Sequence, residues 1–368
     1  MRVVHAIQSY APVLGGAQRQ LQRLGPRFAA RGVDVHVVTR RPAGQPRYAE
    51  EPGLTIHRLA GTDGPVTSAG YVAGGAALVR RLRPDIVHAH DLLTPSMIGL
   101  LGGAPLLVKV LAAGPRADVD RLMHKPLGAA RLRAIERRAA AFVCLSDEIA
   151  AELQANGVPA ERLVHVPNGV DTDAYAPPSA QQRAAARARL GLAADGFVAA
   201  YAGRFAEIKR VNVLLSAWRD VAGTLVLAGE GPEERTVRRL AAALGTRVVV
   251  AGRVDDPLEV LWAADAYATA SVTEGMSNAV LEAMAAGLPV VASPASGMRD
   301  VLGEEAGRLL AADASAAALA ARLAAVAADP AGRARLGAAL RTRAIERFSL
   351  DRTADLLVDL YRHVRRRD

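Results

Sequence analysis

The sequence predicts an α/β protein built from two doubly wound parallel-sheet domains, and three observations carry that expectation. The chain has 368 residues, more than one ordinary hydrophobic core serves and about right for two domains. Short apolar runs alternate with helical patterns along most of its length. Between two such series lies VPNGVDTDAYAPPSA, a stretch dense in Pro, Asn, Gly and Asp that reads as a linker. With 51% hydrophobic and 23% charged residues, the composition excludes a disordered chain.

The first series opens with RVVHAI as a buried strand. A helix is expected from Gln18 to Arg31, with Pro26 predicting a kink. VDVHVVT, LTIHRL, PDIVHAH, PLLVKVL and AFVCLS follow as strands. Strands interleaved with helices argue for parallel order with both faces covered. The second series runs GFVAAYAG, a helix through NVLLSAW, TLVLAGEG, a helix near Arg235 to Leu244, RVVVAG and AYATAS. It continues through a helix within TEGMSNAVLEAMAAGLPVVAS and then Ala-rich helices to the end. The expected division is 1–170 for the N-terminal domain, 171–190 for the linker and 191–349 for the C-terminal domain. A final helix, 350–368, is expected to pack back towards the first domain. No fixed-period repeat is present.

The single cysteine, Cys144, sits in an apolar run and reads as a small core residue of a reducing compartment. The N-terminus lacks the pattern of a signal peptide, and the longest apolar region, SMIGLLGGAPLLVKVLAAG, is broken by Gly-Gly, Pro105 and Lys109, so a cytoplasmic protein is expected. The formal charge is +9, and residues 1–170 hold 21 Lys and Arg against 13 Asp and Glu. Such an excess favours anionic partners. Nucleic acid is excluded by the lack of basic and aromatic interleaving. Arg19, Arg23, Arg27 and Arg31 form a four-residue stripe on the first helix, and Arg131, Arg133, Arg137 and Arg138 form a second cluster. Both suggest contact with an anionic membrane surface at the inner face of the cell membrane, with a solvated arginine face as the competing explanation.

Open α/β sheets bind ligands where strand ends lead into helix N-termini. In the loop VTEGMSN, Gly275 lets the backbone approach a ligand, and Met276, Ser277 and Asn278 offer amides to an anion at a helix start near Asn278. Glu274 precedes that helix and Glu282 lies more than a turn inside it. Ionised carboxylates accept hydrogen bonds from sugar hydroxyls. On spacing alone, a solvated Glu274 and a surface Glu282 remain the competing reading. YAGRFAEIKR places Arg204 and Lys209 in one loop, where they suit a diphosphate. Only three of the 46 basic residues are lysines, so a lysine here is informative. His88 and His90 share a strand face, which allows a metal pair, packed histidines or substrate contact by His90. No Cys or further clustered His supports a metal, and none is expected.

The E-x7-E pair Glu274 and Glu282 resembles the signature of retaining glycosyltransferases. The Gly-Gly of YAPVLGGAQRQL, then PDIVHAHD, LSDEIAAEL, VPNGVDTDAY, AGRFAEIKR, LVLAGEGPE, VVVAGRVDD and ERFSLDRTADLLVDLY stand in the order of glycosyltransferase family 4. The resemblance covers nearly the whole chain. It implies the GT-B architecture, two Rossmann-like domains with a cleft between them, and sugar transfer from a nucleoside diphosphate sugar with retention. Carried over by position, Glu282 would hold ribose hydroxyls and Glu274 the donor sugar. Arg204 and Lys209 would hold the diphosphate, Gly16 would admit it to the N-terminal loop, and His90 would be the cleft histidine. The base is expected near Arg253 and Val254, a UDP-sugar being the default donor and GDP-mannose the runner-up. The acceptor is expected to be a hydroxyl compound, lipid-linked or a small glycoside, with no cofactor. Alternatives are an epimerase or hydrolase of the same fold, or a non-catalytic nucleotide-sugar-binding protein.

Overall fold

The computed structural model describes residues 1–12, 15–59 and 65–366, without the side chains of 65 and 66. Val13 and Leu14 of the N-terminal Gly-Gly motif thus lie outside the described residues. The chain divides into two compact units, Met1–Gly169 with Leu350–Asp368, and Val170–Ser349.

The first unit carries an eight-stranded sheet. In chain order its strands are β1 (Arg2–Ile7), β2 (Asp34–Arg40), β3 (Tyr48–Glu51), β4 (Leu54–Leu59), β5 (Ile86–His90), β6 (Leu106–Val110), β7 (Ala139–Cys144) and β8 (Leu163–His165). Their order across the sheet is β3-β4-β2-β1-β5-β6-β7-β8. All pairings are parallel except β3 on β4, a short antiparallel edge that the sequence expectation omitted. YAEE has no apolar alternation, and its residues are half-buried or exposed, so pattern reading finds nothing there. β5 and β6 are buried throughout, as strands covered on both faces must be.

The helix Gly16–Ala30 continues through Pro26, and its Leu21, Leu24 and Phe28 are buried. The C-terminal helix, Leu350–Arg365, buries Leu357, Val358, Tyr361 and Val364 in the same core. Burying each such side chain contributes about 1.5–3 kcal/mol. Arg31 donates to Asp355 (2.7 Å) and pairs with Asp351 (3.1 Å), and Arg27 lies 3.5 Å from Asp351. Two of the four arginines in the basic stripe, Arg27 and Arg31, are therefore engaged by acids of the C-terminal helix. Among the described residues no helix is long and apolar enough to cross a membrane. Cys144 is buried, and burial pushes its thiol up to about 12, which suits a packing role.

The second unit carries a five-stranded parallel sheet, ordered β11-β10-β9-β12-β13. These strands are β9 (Val198–Ala202), β10 (Thr224–Ala228), β11 (Val248–Gly252), β12 (Ala266–Thr269) and β13 (Val290–Ala292). The expected linker 171–190 is corrected here, because it belongs to this unit and contains the helix Ala180–Arg189. Arg183 and Arg187 of that helix both reach Asp265, and Arg187 is buried. Turn residues obscured this helix in the sequence, since Pro177 and Pro178 stand just ahead of it while its own face is Ala and Arg.

Candidate functional site

In each sheet the strand order reverses beside the first strand of its series, between β1 and β5 and between β9 and β12. Ligand crevices form at such points, beyond the carboxyl ends of the strands.

In the second unit, β9 leads through Gly203, Arg204 and Phe205 to a short 3-10 turn, Glu207–Lys209. β12 leads to the loop holding Glu274 and then to the helix Asn278–Ala285. The two loops are joined where the Val272 amide donates to the Ile208 carbonyl (3.0 Å). This brings Lys209 Nζ to 2.5 Å from Glu274 Oε1. Ser271 Oγ donates to the same oxygen (2.8 Å), and Ser296 Oγ holds the Glu274 carbonyl (2.8 Å). Lys209 is thus paired with an acid rather than standing as an isolated cation, while the Arg204 side chain is exposed.

Glu282 is 3% exposed, which removes the surface reading of that residue. Both Glu274 and Glu282 act on the buried phenol of Tyr267, raised well above its ordinary value chiefly by burial. Gly275 and Met276 are buried, and Ser277 and Asn278 are half-buried at the helix start. A helix start leaves amide hydrogens without intrahelical acceptors and carries partial positive charge.

A third loop closes this group. The Phe205 amide donates to the Glu230 carbonyl (2.8 Å) and the Glu233 amide to the Phe205 carbonyl (3.0 Å). A Cβ on Gly229 would stand 1.9 Å from the Gly203 carbonyl oxygen, with φ of +152°, so glycine is required there. Arg253 is exposed and pairs with Glu230 (3.3 Å), and Val254 follows it half-buried. Glu230, Ser271 and Ser296 were missed in the sequence. The Gly-Glu-Gly of LVLAGEGPE was the signal available for Glu230.

Gly16 and His90 belong to the first unit. Gly16 is exposed at the start of the helix Gly16–Ala30. His90 ends β5 and lines a depression of about 400 Å³ with Gln8, Gln18, Arg40, Asp91 and Arg121. Asp91 adopts φ of +103°, a strained backbone for a residue with a side chain. Its carboxyl accepts from the Leu93 amide (2.7 Å), and burial, then Asp118, pushes it up to about 7. The sequence reading of PDIVHAHD assigns Asp91 no role. Its place directly after a strand-end histidine was the available signal.

His90 does not stand with His88 alone. His5 joins them, and ring nitrogens of all three lie within 4.8 Å of one another, correcting the expectation of no further clustered histidine. His5 Nδ1 is 2.9 Å from His90 Nε2, and Tyr361 Oη is 3.3 Å from His5 Nε2. Both nitrogens of His5 are therefore occupied by hydrogen-bonding partners. Burial first, and the nearby Lys109 ammonium among other charges, holds His5 down to about 3 and His88 and His90 well below 6.5.

Comparison with known proteins decides the family. Residues 14–174 match the model described as Glycosyltransferase Family 4, and residues 196–329 match that of Glycosyl transferases group 1. A D-inositol 3-phosphate glycosyltransferase of Xylanimonas cellulosilytica is 31% identical, over 96% of this chain and 93% of its own. The chain belongs to glycosyltransferase family 4. Sucrose-phosphate synthase from Thermosynechococcus elongatus superimposes on this glycosyltransferase with a TM-score of 0.85 and 25% identity, each chain being covered in full (100% and 100%). Anabaena Alr3699/HepE, solved in complex with UDP-glucose, gives 0.81 at 19% identity, over 99% of this chain and 100% of that one. The fold of this glycosyltransferase is GT-B, two α/β units with parallel sheets.

Proposed function

We propose that this glycosyltransferase moves a sugar from a nucleoside diphosphate sugar to an acceptor hydroxyl, with retention at the anomeric carbon and without a metal. A UDP-sugar is the favoured donor and GDP-mannose the alternative. The observation that carries the reading is the Lys209–Glu274 contact beside the start of the helix Asn278–Ala285.

A diphosphate at that helix start draws Lys209 away from Glu274 and gains the exposed Arg204. The released Glu274 carboxylate then accepts from hydroxyls of the donor sugar, and Glu282 from those of the ribose. As the glycosidic bond to phosphate breaks, Lys209, Arg204 and the helix amides stabilise the charge developing on the diphosphate. The departing phosphate oxygen takes the acceptor's proton while the acceptor oxygen attacks from the same face, so no enzymic nucleophile is needed. The UDP-glucose complex of Anabaena HepE supports the choice of donor. In the first unit, the depression lined by His90, Asp91, Arg40 and Arg121 supplies an acid and two cations for a polyol acceptor. The relative named for D-inositol 3-phosphate supports an acceptor of that kind.

The test is incubation with UDP-glucose, UDP-N-acetylglucosamine and GDP-mannose, each with and without D-inositol 3-phosphate. The expected result is nucleotide release that depends on the acceptor, with an α-linked product by NMR. A β-linked product removes retention. Donor turnover equal in the presence and absence of acceptor replaces transfer by hydrolysis or epimerisation.

A further inference from the structure

Four buried side chains of the first unit form one hydrogen-bonded chain. His90 Nε2 meets His5 Nδ1 at 2.9 Å, His5 Nε2 meets Tyr361 Oη at 3.3 Å, and Tyr361 Oη meets His88 Nδ1 at 2.7 Å. His5 and His88 are 1% exposed, His90 is 5% and Tyr361 is 0%. The two ends of the chain, His90 Nδ1 and His88 Nε2, are buried nitrogens with no hydrogen-bond partner.

A neutral imidazole has one N–H and one lone pair, and a phenol hydroxyl has a single proton to donate. Each contact needs a donor on one side and an acceptor on the other. If Tyr361 donates to His88 Nδ1, then His88 carries its proton on Nε2. Tyr361 must then accept from His5 Nε2–H, which leaves His5 Nδ1 to accept from His90 Nε2–H. All three rings are Nε2–H. If Tyr361 instead donates to His5 Nε2, the same steps make all three rings Nδ1–H. Mixed arrangements put two lone pairs or two hydrogens face to face, or have Tyr361 accept from both rings and leave its buried hydroxyl hydrogen without either as acceptor.

We propose that Tyr361 and His5 are positioning residues that hold the three histidines in one shared tautomer, and so decide whether His90 Nδ1 donates to or accepts from the ligand of the depression. The part concerning the ligand rests on reading that depression as the acceptor site. His90 lines the depression with Nε2 engaged by His5, so Nδ1 is the ring nitrogen left for an acceptor hydroxyl. The C-terminal helix therefore contributes more than packing, since Tyr361 is the joint between His88 and His5.

The test uses the full chain labelled with ¹⁵N-histidine, whose ring nitrogens report the tautomer directly in long-range ¹H–¹⁵N spectra. Wild type is expected to show His5, His88 and His90 in a common tautomer at pH 7.5, and a mixed set overturns the proposal. Tyr361→Phe keeps the ring and removes the joint. It is expected to release His88 from the tautomer of His5 and His90, and to lower kcat about tenfold, the effect of one misaligned hydrogen bond, with donor KM unchanged. A Tyr361→Phe variant with all three tautomers and kcat unchanged, and only its melting temperature lowered, reduces Tyr361 to a packing residue and overturns the proposal. If wild type shows the common tautomer while His90→Ala transfers sugar at the wild-type rate, the acceptor reading fails and the lock alone stands.

Discussion

Lys209 Nζ and Glu274 Oε1 stand 2.5 Å apart although 65 residues separate them in the chain. The pair is a closed circuit before any ligand arrives. It gives each member a partner that a donor substrate can displace, the diphosphate taking the cation and the sugar hydroxyls the anion.

Removing either member should cost catalysis in the same way. Lys209→Met and Glu274→Gln are each expected to lower kcat/KM by about 10²–10³-fold, the size of losing one preorganised electrostatic contact. The double variant should lose much less than the product of the two, because the residues share one interaction network. Steady-state nucleotide release measures all three, and full multiplicativity would show that the two side chains act separately.

Arg253 is exposed and pairs with Glu230 at 3.3 Å and with the exposed Asp255 at 3.9 Å, so its replacement leaves the core intact. Arg253→Ala is expected to raise donor KM about threefold to tenfold with kcat unchanged, as for binding felt equally in ground and transition states. A fall in kcat at constant KM would place Arg253 on the reacting phosphates instead.

The glycine loop after β10 offers a stability test. At Gly231 a Cβ would lie 2.4 Å from the Phe205 carbonyl oxygen, with φ of +153°. Gly231→Ala is expected to destabilise the protein by about 2–4 kcal/mol through backbone strain and displacement of the Arg204 loop. Gly44→Ala, at φ of +76° with open space around it, should cost about 1 kcal/mol by strain alone. Urea unfolding distinguishes them, and equal losses would show that the close approach is unimportant.

Acid stability should divide between two opposing groups. His5, held down to about 3 from 6.5, binds fewer protons folded than unfolded, as do His88 and His90. The contribution of His5 therefore rises with pH from about 3 to 6.5, those of His88 and His90 rise in the same direction below 6.5, and all are lost on acidification. Asp91, pushed up from 3.8 to about 7, binds more protons folded than unfolded, so its contribution falls as pH rises through that window. Asp91→Asn should remove the second slope, making stability climb more steeply between pH 4 and 7 than in wild type. Urea midpoints across that range check it, and parallel curves would mean that the Asp91 carboxyl titrates normally.

Alternating apolar runs, the glutamate pair at 274 and 282, and the basic loop at 204 and 209 were legible because each is local. A strand, a helix start or a loop motif is specified by neighbours within a few residues, so the double α/β organisation and the donor-side candidates could be read directly. The burial of Glu282, the engagement of Arg27 and Arg31 by the C-terminal helix, and the helix inside the expected linker required the folded chain. The same holds for the histidine group, in which His5 is 85 residues from His90 and 356 from Tyr361. Strand order places β1 beside β5, and the C-terminal helix packs its Tyr361 into the same core. Hydrogen bonds and charges act over a few ångströms of space whatever the distance along the chain. Residue types could therefore be nominated from sequence, but their partners, protonation and exposure were fixed only when packing brought distant segments together.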